Sequence, residues 1–222
     1  MKKFLLIFFI AFSAIQVFAT AQYPDILVYE GKEYDLFTNP LELFFEEHPD
    51  LRPESTSTAL WRGYIAKFEI RDNQLVVSDI LIPKYIDYET VYISIYDKIF
   101  PEQKNVAVTW MTGILTLPIG EMTDYVHMGY GSTYSAYKLL RIENGKLVQT
   151  RDFTEDEYAQ YRNLQYEAFK KTKTYKEAVD EIRESEYFDA LNEEMLDEFI
   201  RSFYSSVYSN FSIPFPKSPD EK

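Results

Sequence analysis

Arg62 is the residue whose surroundings in the sequence most need an explanation; it lies in Trp61-Arg62-Gly63-Tyr64. The following residues alternate with period two, which places Arg62 on the same strand face as Tyr64, Ala66, Phe68 and Ile70. A guanidinium on an apolar face needs a carboxylate, carbonyl groups or an anionic ligand. Arg62 is therefore a candidate clamp for an anion or carboxylate. The alternative is a structural arginine that begins a strand and pairs with an acidic side chain at the sheet rim.

A second group of polar and aromatic residues occupies positions 124–134, with the sequence DYVHMGYGSTY. His127 is the one side chain there that could act as an acid or base near neutral pH, and Asp124 or another carboxylate could orient it. Ser132 could be a nucleophile, although it does not lie in a G-x-S-x-G sequence. Two glycines would let the chain bend or let a ligand approach closely. The structural alternative is a β-bulge or tight bend whose aromatic rings pack across the sheet.

The candidate ligand site combines these two segments with a second tryptophan. Aromatic faces can stack on sugars or bases, although tyrosines also suit half-buried strand surfaces without any ligand. The candidate ligand-binding residues are Trp61, Arg62, Trp110, His127 and Tyr130. The sequence assigns no catalytic residue and leaves open whether the protein is an enzyme.

Composition excludes several classes of function. The chain has 222 residues, with 36 acidic and 23 basic side chains and no cysteine. An excess of 13 negative charges argues against nucleic-acid binding, which requires clustered Lys and Arg. The absence of cysteine excludes disulfides and thiolate chemistry. No phosphate-binding, dinucleotide, calcium or zinc-protease motif occurs, so no cofactor and no metal is expected.

The N-terminus has the order of features found in signal peptides. Lys2 and Lys3 precede an apolar run over residues 4–15, and Ala19-Thr20-Ala21 supplies small residues for cleavage. We therefore predict a signal peptide over 1–21, a periplasmic or secreted location, and no membrane span after cleavage. Loss of the two lysines would raise the acidic excess from 13 to 15. The alternative is a membrane anchor, for which the apolar run is short.

The remaining chain has strand periodicity first and helical periodicity later, which predicts an α+β fold. An antiparallel β domain over 22–151, with six to eight strands, would form a meander or a partly closed barrel. Asp72-Asn73 and Asn144-Gly145 predict hairpin turns. About three helices over 152–211 would pack on the β domain, the first beginning at a capping box at Thr154. Residues 212–222 would form a frayed tail.

Two segments resemble an uncharacterised family of bacterial proteins. They are Leu60–Ile70 (LWRGYIAKFEI) and Trp110–Tyr134 (WMTGILTLPIGEMTDYVHMGYGSTY). The shared features are the Trp-Arg-Gly-Tyr strand and the Tyr-Val-His-Met-Gly-Tyr-Gly-Ser segment, and the resemblance covers about residues 24–147. Because no activity is known for that family, the resemblance implies no catalytic assignment.

These observations favour a secreted or periplasmic acidic binding or interaction protein, whose partner is an unknown ligand or another protein. One alternative is a hydrolase with His127 as general base. Another is a periplasmic inhibitor or immunity protein for a basic secreted enzyme, because opposite charge accelerates association. A cleft that contains both Arg62 and His127 would favour a ligand or substrate, whereas a flat acidic and aromatic patch would favour a protein partner.

Overall fold

A computed structural model describes residues 20–127, 129–184, 193–209 and 211–216, and it confirms the α+β fold. Most of the predicted signal peptide lies outside these residues. The strands are β1 (Asp25–Tyr29), β2 (Lys32–Leu36), β3 (Ile65–Arg71), β4 (Gln74–Ile86), β5 (Glu89–Ser94), β6 (Val106–Ala107), β7 (Gly113–Pro118), β8 (Met122–Asp124), β9 (Thr133–Tyr134), β10 (Ala136–Glu143) and β11 (Lys146–Thr154). The helices are α1 (Leu41–Glu47), α2 (Tyr96–Ile99), α3 (Glu155–Phe169), α4 (Lys173–Glu184), α5 (Glu193–Phe203) and α6 (Ser205–Tyr208). None of these helices is long and apolar enough to cross a membrane.

Nine strands form one mostly antiparallel sheet in the order β2-β1-β3-β4-β11-β10-β7, with β5 and β6 also paired to β4. Strands β8 and β9 form a separate pair. The parallel pairing of β1 with β3 departs from the predicted meander. The sheet is not closed into a barrel, because β2 and β7 share no ladder. A hydrogen bond from Phe37 N to Thr116 O, at 2.9 Å, nevertheless joins the chain just after β2 to β7.

The two predicted hairpin turns are present. Asp72 and Asn73 have φ of 48° and 61°, and Asn144 and Gly145 have φ of 48° and 77°. Such values suit two-residue turns that match the right-handed twist of the strands. Gly145 is also required by space, because a Cβ there would lie 2.6 Å from the backbone oxygen of Val108.

Three apolar clusters form the core of the described residues, and one of them joins the sheet to the C-terminal helices. The largest packs on the sheet and includes Phe45 of α1 and Phe68 of β3. A second joins β7, β10 and β11 to α3 and residues 213–215, and a third lies within the helices. The predicted capping box begins α3: the Thr154 hydroxyl accepts from Glu157 N, and the Glu157 carboxylate accepts from Thr154 N. Helix α3 is thus the element that ties the two halves together.

Secondary structure and packing continue across two of the predicted domain boundaries, and residues 217–222 of the predicted tail lie outside the described residues. Strand β11 continues to Thr154, three residues beyond the predicted end of the β domain at 151. Residues 211–216 pack on the sheet and α3, although the sequence predicts fraying from residue 212. Phe215 is buried against Phe153 and Tyr161, and the Tyr161 hydroxyl donates to Ile213 O at 2.8 Å. Burial of these aromatic faces offsets the entropy of ordering a Pro-rich segment.

Candidate functional site

A cleft of about 520 Å³ lies beside helix α3. Its walls come from residues 37–39 after β2, from the segment between β8 and β9, and from one face of α3. We call it the α3 cleft. Three of the five candidate residues, Trp61, Arg62 and Tyr130, line it.

Arg62 is fully buried and is held by partners within the chain. Its Nη1 donates to the Tyr130 hydroxyl at 3.0 Å, and its Nη2 donates to Tyr23 O at 2.8 Å. The same Nη2 lies 3.3 Å from Oδ1 of Asp25, which is also fully buried and accepts from Ala66 N. Arg62 belongs to a turn before β3, so the strand alternation expected from the sequence does not extend to it. Its acidic partner, however, is inside the protein and not at the sheet rim.

Gly63 turns the chain so that neighbouring side chains point to different environments. Its φ is +81°, and a Cβ there would lie 2.5 Å from the backbone oxygen of Glu54, so no other residue fits without a shift. Trp61, two residues earlier, is 49% exposed at the cleft, whereas Arg62 is fully buried. The Trp-Arg-Gly sequence thus contributes one exposed aromatic face and one internal cation.

Burial dominates the electrostatics of this network. Burial raises the pKa of Asp25 to about 6, because the loss of hydration outweighs the attraction of Arg62 and the hydrogen bond from Ala66. Burial alone would lower the pKa of Arg62, but the charge of Asp25 raises it. Asp25 Oδ2 has no hydrogen-bond partner among the described residues. Burial of the Asp25–Arg62 ion pair therefore costs free energy, and the hydrogen bonds that both side chains make to other groups hold the pair in position.

Tyr130 connects the Arg62 network to the cleft. Burial raises the pKa of its hydroxyl, so the group is a neutral hydrogen-bonding phenol. The hydroxyl donates to Asn39 Oδ1 at 2.9 Å, and the ring stacks on Phe37 with centroids 4.7 Å apart. The side chain of Asn39 is thus engaged by Tyr130, and α1 begins without a side-chain cap.

The other two candidate residues, His127 and Trp110, lie outside the cleft. His127 is exposed, and its Nδ1 lies 3.2 Å from the Tyr125 hydroxyl. Trp110 is partly buried, packs on Phe44 and donates from Nε1 to Pro40 O at 2.9 Å. Arg62 and His127 therefore do not share a cleft, which was the arrangement that would have favoured a substrate site.

The hydrolase alternative has no supporting contact among the described residues. No carboxylate there hydrogen-bonds to His127, whose one such contact is with Tyr125. The Ser132 hydroxyl accepts from Val126 N at 3.1 Å and so holds the segment between β8 and β9 in shape. No group of three potential metal ligands is found in the described parts of the chain.

Arg162 on α3 is a cleft residue that sequence reasoning missed. Its guanidinium lies 5.9 Å from the ring of Tyr158 and 5.6 Å from that of Tyr208. Its Nη2 donates to the Tyr208 hydroxyl at 3.3 Å, and its Nε is buried without a partner among the described residues. The spacing of Tyr158 and Arg162, one helical turn apart, was the one local signal. A lone helical arginine ordinarily indicates a solvated face.

The chain matches no protein family, no curated protein and no solved structure. The resemblance to an uncharacterised bacterial family stays a prediction. Inferences about function therefore depend on the geometry of the chain itself.

Proposed function

We propose that the protein is an exported acidic binding protein that holds a small ligand in the α3 cleft. The observation that carries this proposal is the exposed indole of Trp61 in a concave site of about 520 Å³. Sites for small molecules have volumes of about 300–1,000 Å³ and combine apolar or aromatic walls with a few polar groups. The cleft has this composition, since Tyr137, Tyr158 and Arg162 line it as well.

The polar groups of the cleft favour binding over acid–base catalysis. Burial raises the pKa of Tyr137 to about 12, so its hydroxyl is neutral, and it accepts a hydrogen bond from Tyr134 N at 2.8 Å. Asp25 is enclosed behind Arg62 and is not a lining residue. Neutral phenols suit recognition by hydrogen bonding, and the Glu155 carboxylate that lines the cleft accepts from the Thr123 hydroxyl at 3.1 Å.

Export is supported by the order of features in residues 1–21. Gln22, the first residue after the predicted cleavage point, lines the α3 cleft, and its backbone N donates to Gly129 O at 3.1 Å. The mature chain would therefore begin at the site. Mass analysis of exported protein should find Gln22 at the N-terminus, and retention of Met1 would contradict export by this route.

The two tryptophans allow a direct test of the cleft. In Trp110→Phe, Trp61 is the single tryptophan and lies in the cleft; in Trp61→Phe, Trp110 is the single tryptophan and lies outside it. We would titrate both variants with neutral sugars, sugar acids and aromatic acids. We expect a saturable fluorescence change in Trp110→Phe and none in Trp61→Phe. Equal responses in both variants, or no binding of any compound to the wild type by calorimetry, would contradict the proposal.

A second candidate function, inhibition of a basic secreted enzyme, is favoured by the hairpin of β4 and β5. Tyr85, Tyr88 and Tyr92 are 69%, 91% and 45% exposed there, beside the acidic residues Asp87 and Glu89. Exposed tyrosines are enriched in protein interfaces. If this function holds, the protein should inhibit a basic lysozyme or ribonuclease, and Tyr88→Ala should weaken the inhibition. Equal inhibition by the variant, or none by the wild type, would reject this candidate.

A further inference from the structure

The eight arginines of the chain fall into two groups by their partners. Arginines paired with Asp or Glu are Arg52, Arg62, Arg71, Arg141, Arg151 and Arg183. Arg162 and Arg201 form no ion pair with any described residue, although the chain has 13 more acidic than basic side chains. In so acidic a protein, two such cations are available to a ligand from outside.

Both of these arginines line one groove of about 450 Å³ between α3 and α5. Arg162 comes from α3 and Arg201 from α5, with Tyr208 beside them. The groove and the α3 cleft share Ala159, Arg162 and Ser202 as lining residues. One ligand could therefore occupy the cleft and place one end in the groove.

Aromatic rings position the two guanidinium groups and leave most of their N–H donors unused. The Arg162 group lies near the rings of Tyr158 and Tyr208, and one hydrogen bond, to the Tyr208 hydroxyl, is its single one with a described residue. The Arg201 group lies 5.1 Å from the Tyr166 ring and contacts Asn163 Oδ1. Ring contacts stabilise a cation without neutralising it. The buried, unpartnered Nε of Arg162 is the kind of group that an acceptor would satisfy.

The charge of the groove selects the kind of anion. Glu198 also lines the groove, but its carboxylate forms no ion pair with Arg162 or Arg201. Two positive groups and one negative group leave a net charge that one monoanion balances, whereas a phosphate dianion would overcompensate it. The planar guanidinium fork matches the two oxygens of a carboxylate.

We propose that Arg162 and Arg201 bind the carboxylate of a ligand whose remaining part lies in the α3 cleft. This inference rests on the proposed function, because it names the class of ligand for the same site. It assigns Arg162 and Arg201 as specificity-determining residues that select acids over the corresponding neutral compounds.

The test compares an acid with its neutral counterpart. Protein labelled with ¹⁵N-arginine would be titrated with 4-hydroxyphenylacetate and with 4-hydroxyphenylacetamide, and the arginine Nε–H resonances followed by NMR. We expect saturable shifts at Arg162 and Arg201 with the acid and affinity at least about tenfold lower for the amide. Arg162→Gln should weaken binding of the acid by a similar factor, and Glu198→Gln should strengthen it about two- to fivefold. Arg71→Gln is the matched control, because Arg71 is exposed and pairs with Glu69 elsewhere.

Several outcomes would overturn the inference. These are equal affinity for acid and amide, equal behaviour of Arg162→Gln and Arg71→Gln, or no binding of the acid at about 10 mM. If an arginine variant misfolds, Glu198→Gln still tests the subsite, because removal of this negative charge should strengthen binding of the acid. If the acid changes Trp61 fluorescence with equal affinity in Arg162→Gln and in the wild type, the carboxylate subsite is rejected and the cleft is retained. Arginine shifts without any Trp61 response would instead retain the carboxylate site and contradict the proposed role of the cleft.

Discussion

Arg62 and Arg162 are both arginines among tyrosines at the same cleft, yet their surroundings are opposite. Arg62 is fully buried and has a carboxylate, a carbonyl and a phenol as acceptors. Arg162 is partly exposed and has one phenol and two ring faces. The comparison shows that the location of the counter-charge separates a structural arginine from one available to a ligand. The counter-charge of Arg62 is within the chain, whereas we assign that of Arg162 to the ligand.

The largest expected effect comes from removing the buried cation. Arg62→Met would leave the Asp25 carboxylate buried without its partner, which costs about 3–5 kcal/mol of unfolding free energy. Urea denaturation would measure this loss. Arg71→Met is the control, and its urea midpoint should be nearly that of the wild type, because Arg71 makes an exposed pair. If the urea midpoint of Arg62→Met equals that of the wild type, Arg62 does not have the structural role described here.

A pH effect of Asp25 should come next in size. Its pKa is about 6 in the folded protein against 3.8 for the free side chain, so folding favours the protonated form. This group therefore stabilises the fold fully below about pH 4, and its contribution is lost as the pH rises through 6. Relative to Asp25→Asn, which does not titrate, the wild type should gain about 2.4 kcal/mol between pH 7 and pH 4. Urea denaturation at several pH values tests this, and a constant difference between the two proteins would contradict it.

Arg162→Met should have a much smaller effect on stability than Arg62→Met. It removes ring contacts and one hydrogen bond at a partly exposed site, at a cost of about 1 kcal/mol or less. The same urea experiment measures it. A loss as large as that of Arg62→Met would mean that Arg162 is also structural, and the contrast between the two arginines would disappear.

The smallest effect is expected at His127, which is exposed. His127→Ala should change the unfolding free energy by no more than about 0.5 kcal/mol, as most surface substitutions do. It should also leave ligand affinity in the α3 cleft unchanged, because His127 does not line the cleft. Calorimetric titration with any compound that changes Trp61 fluorescence would test this. A clear loss of affinity would show that His127 contributes to ligand binding.

Features set by neighbours in the chain were predictable from sequence. The turn at Asn144-Gly145 needs two residues with left-handed backbone conformation, and the start of α3 needs the hydrogen bonds between Thr154 and Glu157. Each of these patterns can be recognised within four residues of sequence. The full burial of Arg62 did not follow from strand alternation, because Arg62 precedes β3 and the intervening Gly63 has a φ of +81°. What was missed in the fold was long-range: the parallel pairing of β1 with β3, and the packing of Phe215 on β11 and α3.

The sequence by itself therefore determined the fold class and the main turns, because each depends on local periodicity or turn chemistry. Only the tertiary structure decided which groups meet. Asp25 reaches Arg62 across 37 positions and Tyr130 reaches it across 68, and Arg162 reaches Tyr208 across 46. Such contacts arise from how strands and helices pack, which no local pattern records. For the same reason Trp61 and Tyr130 share a cleft while His127, three residues from Tyr130, faces solvent outside it.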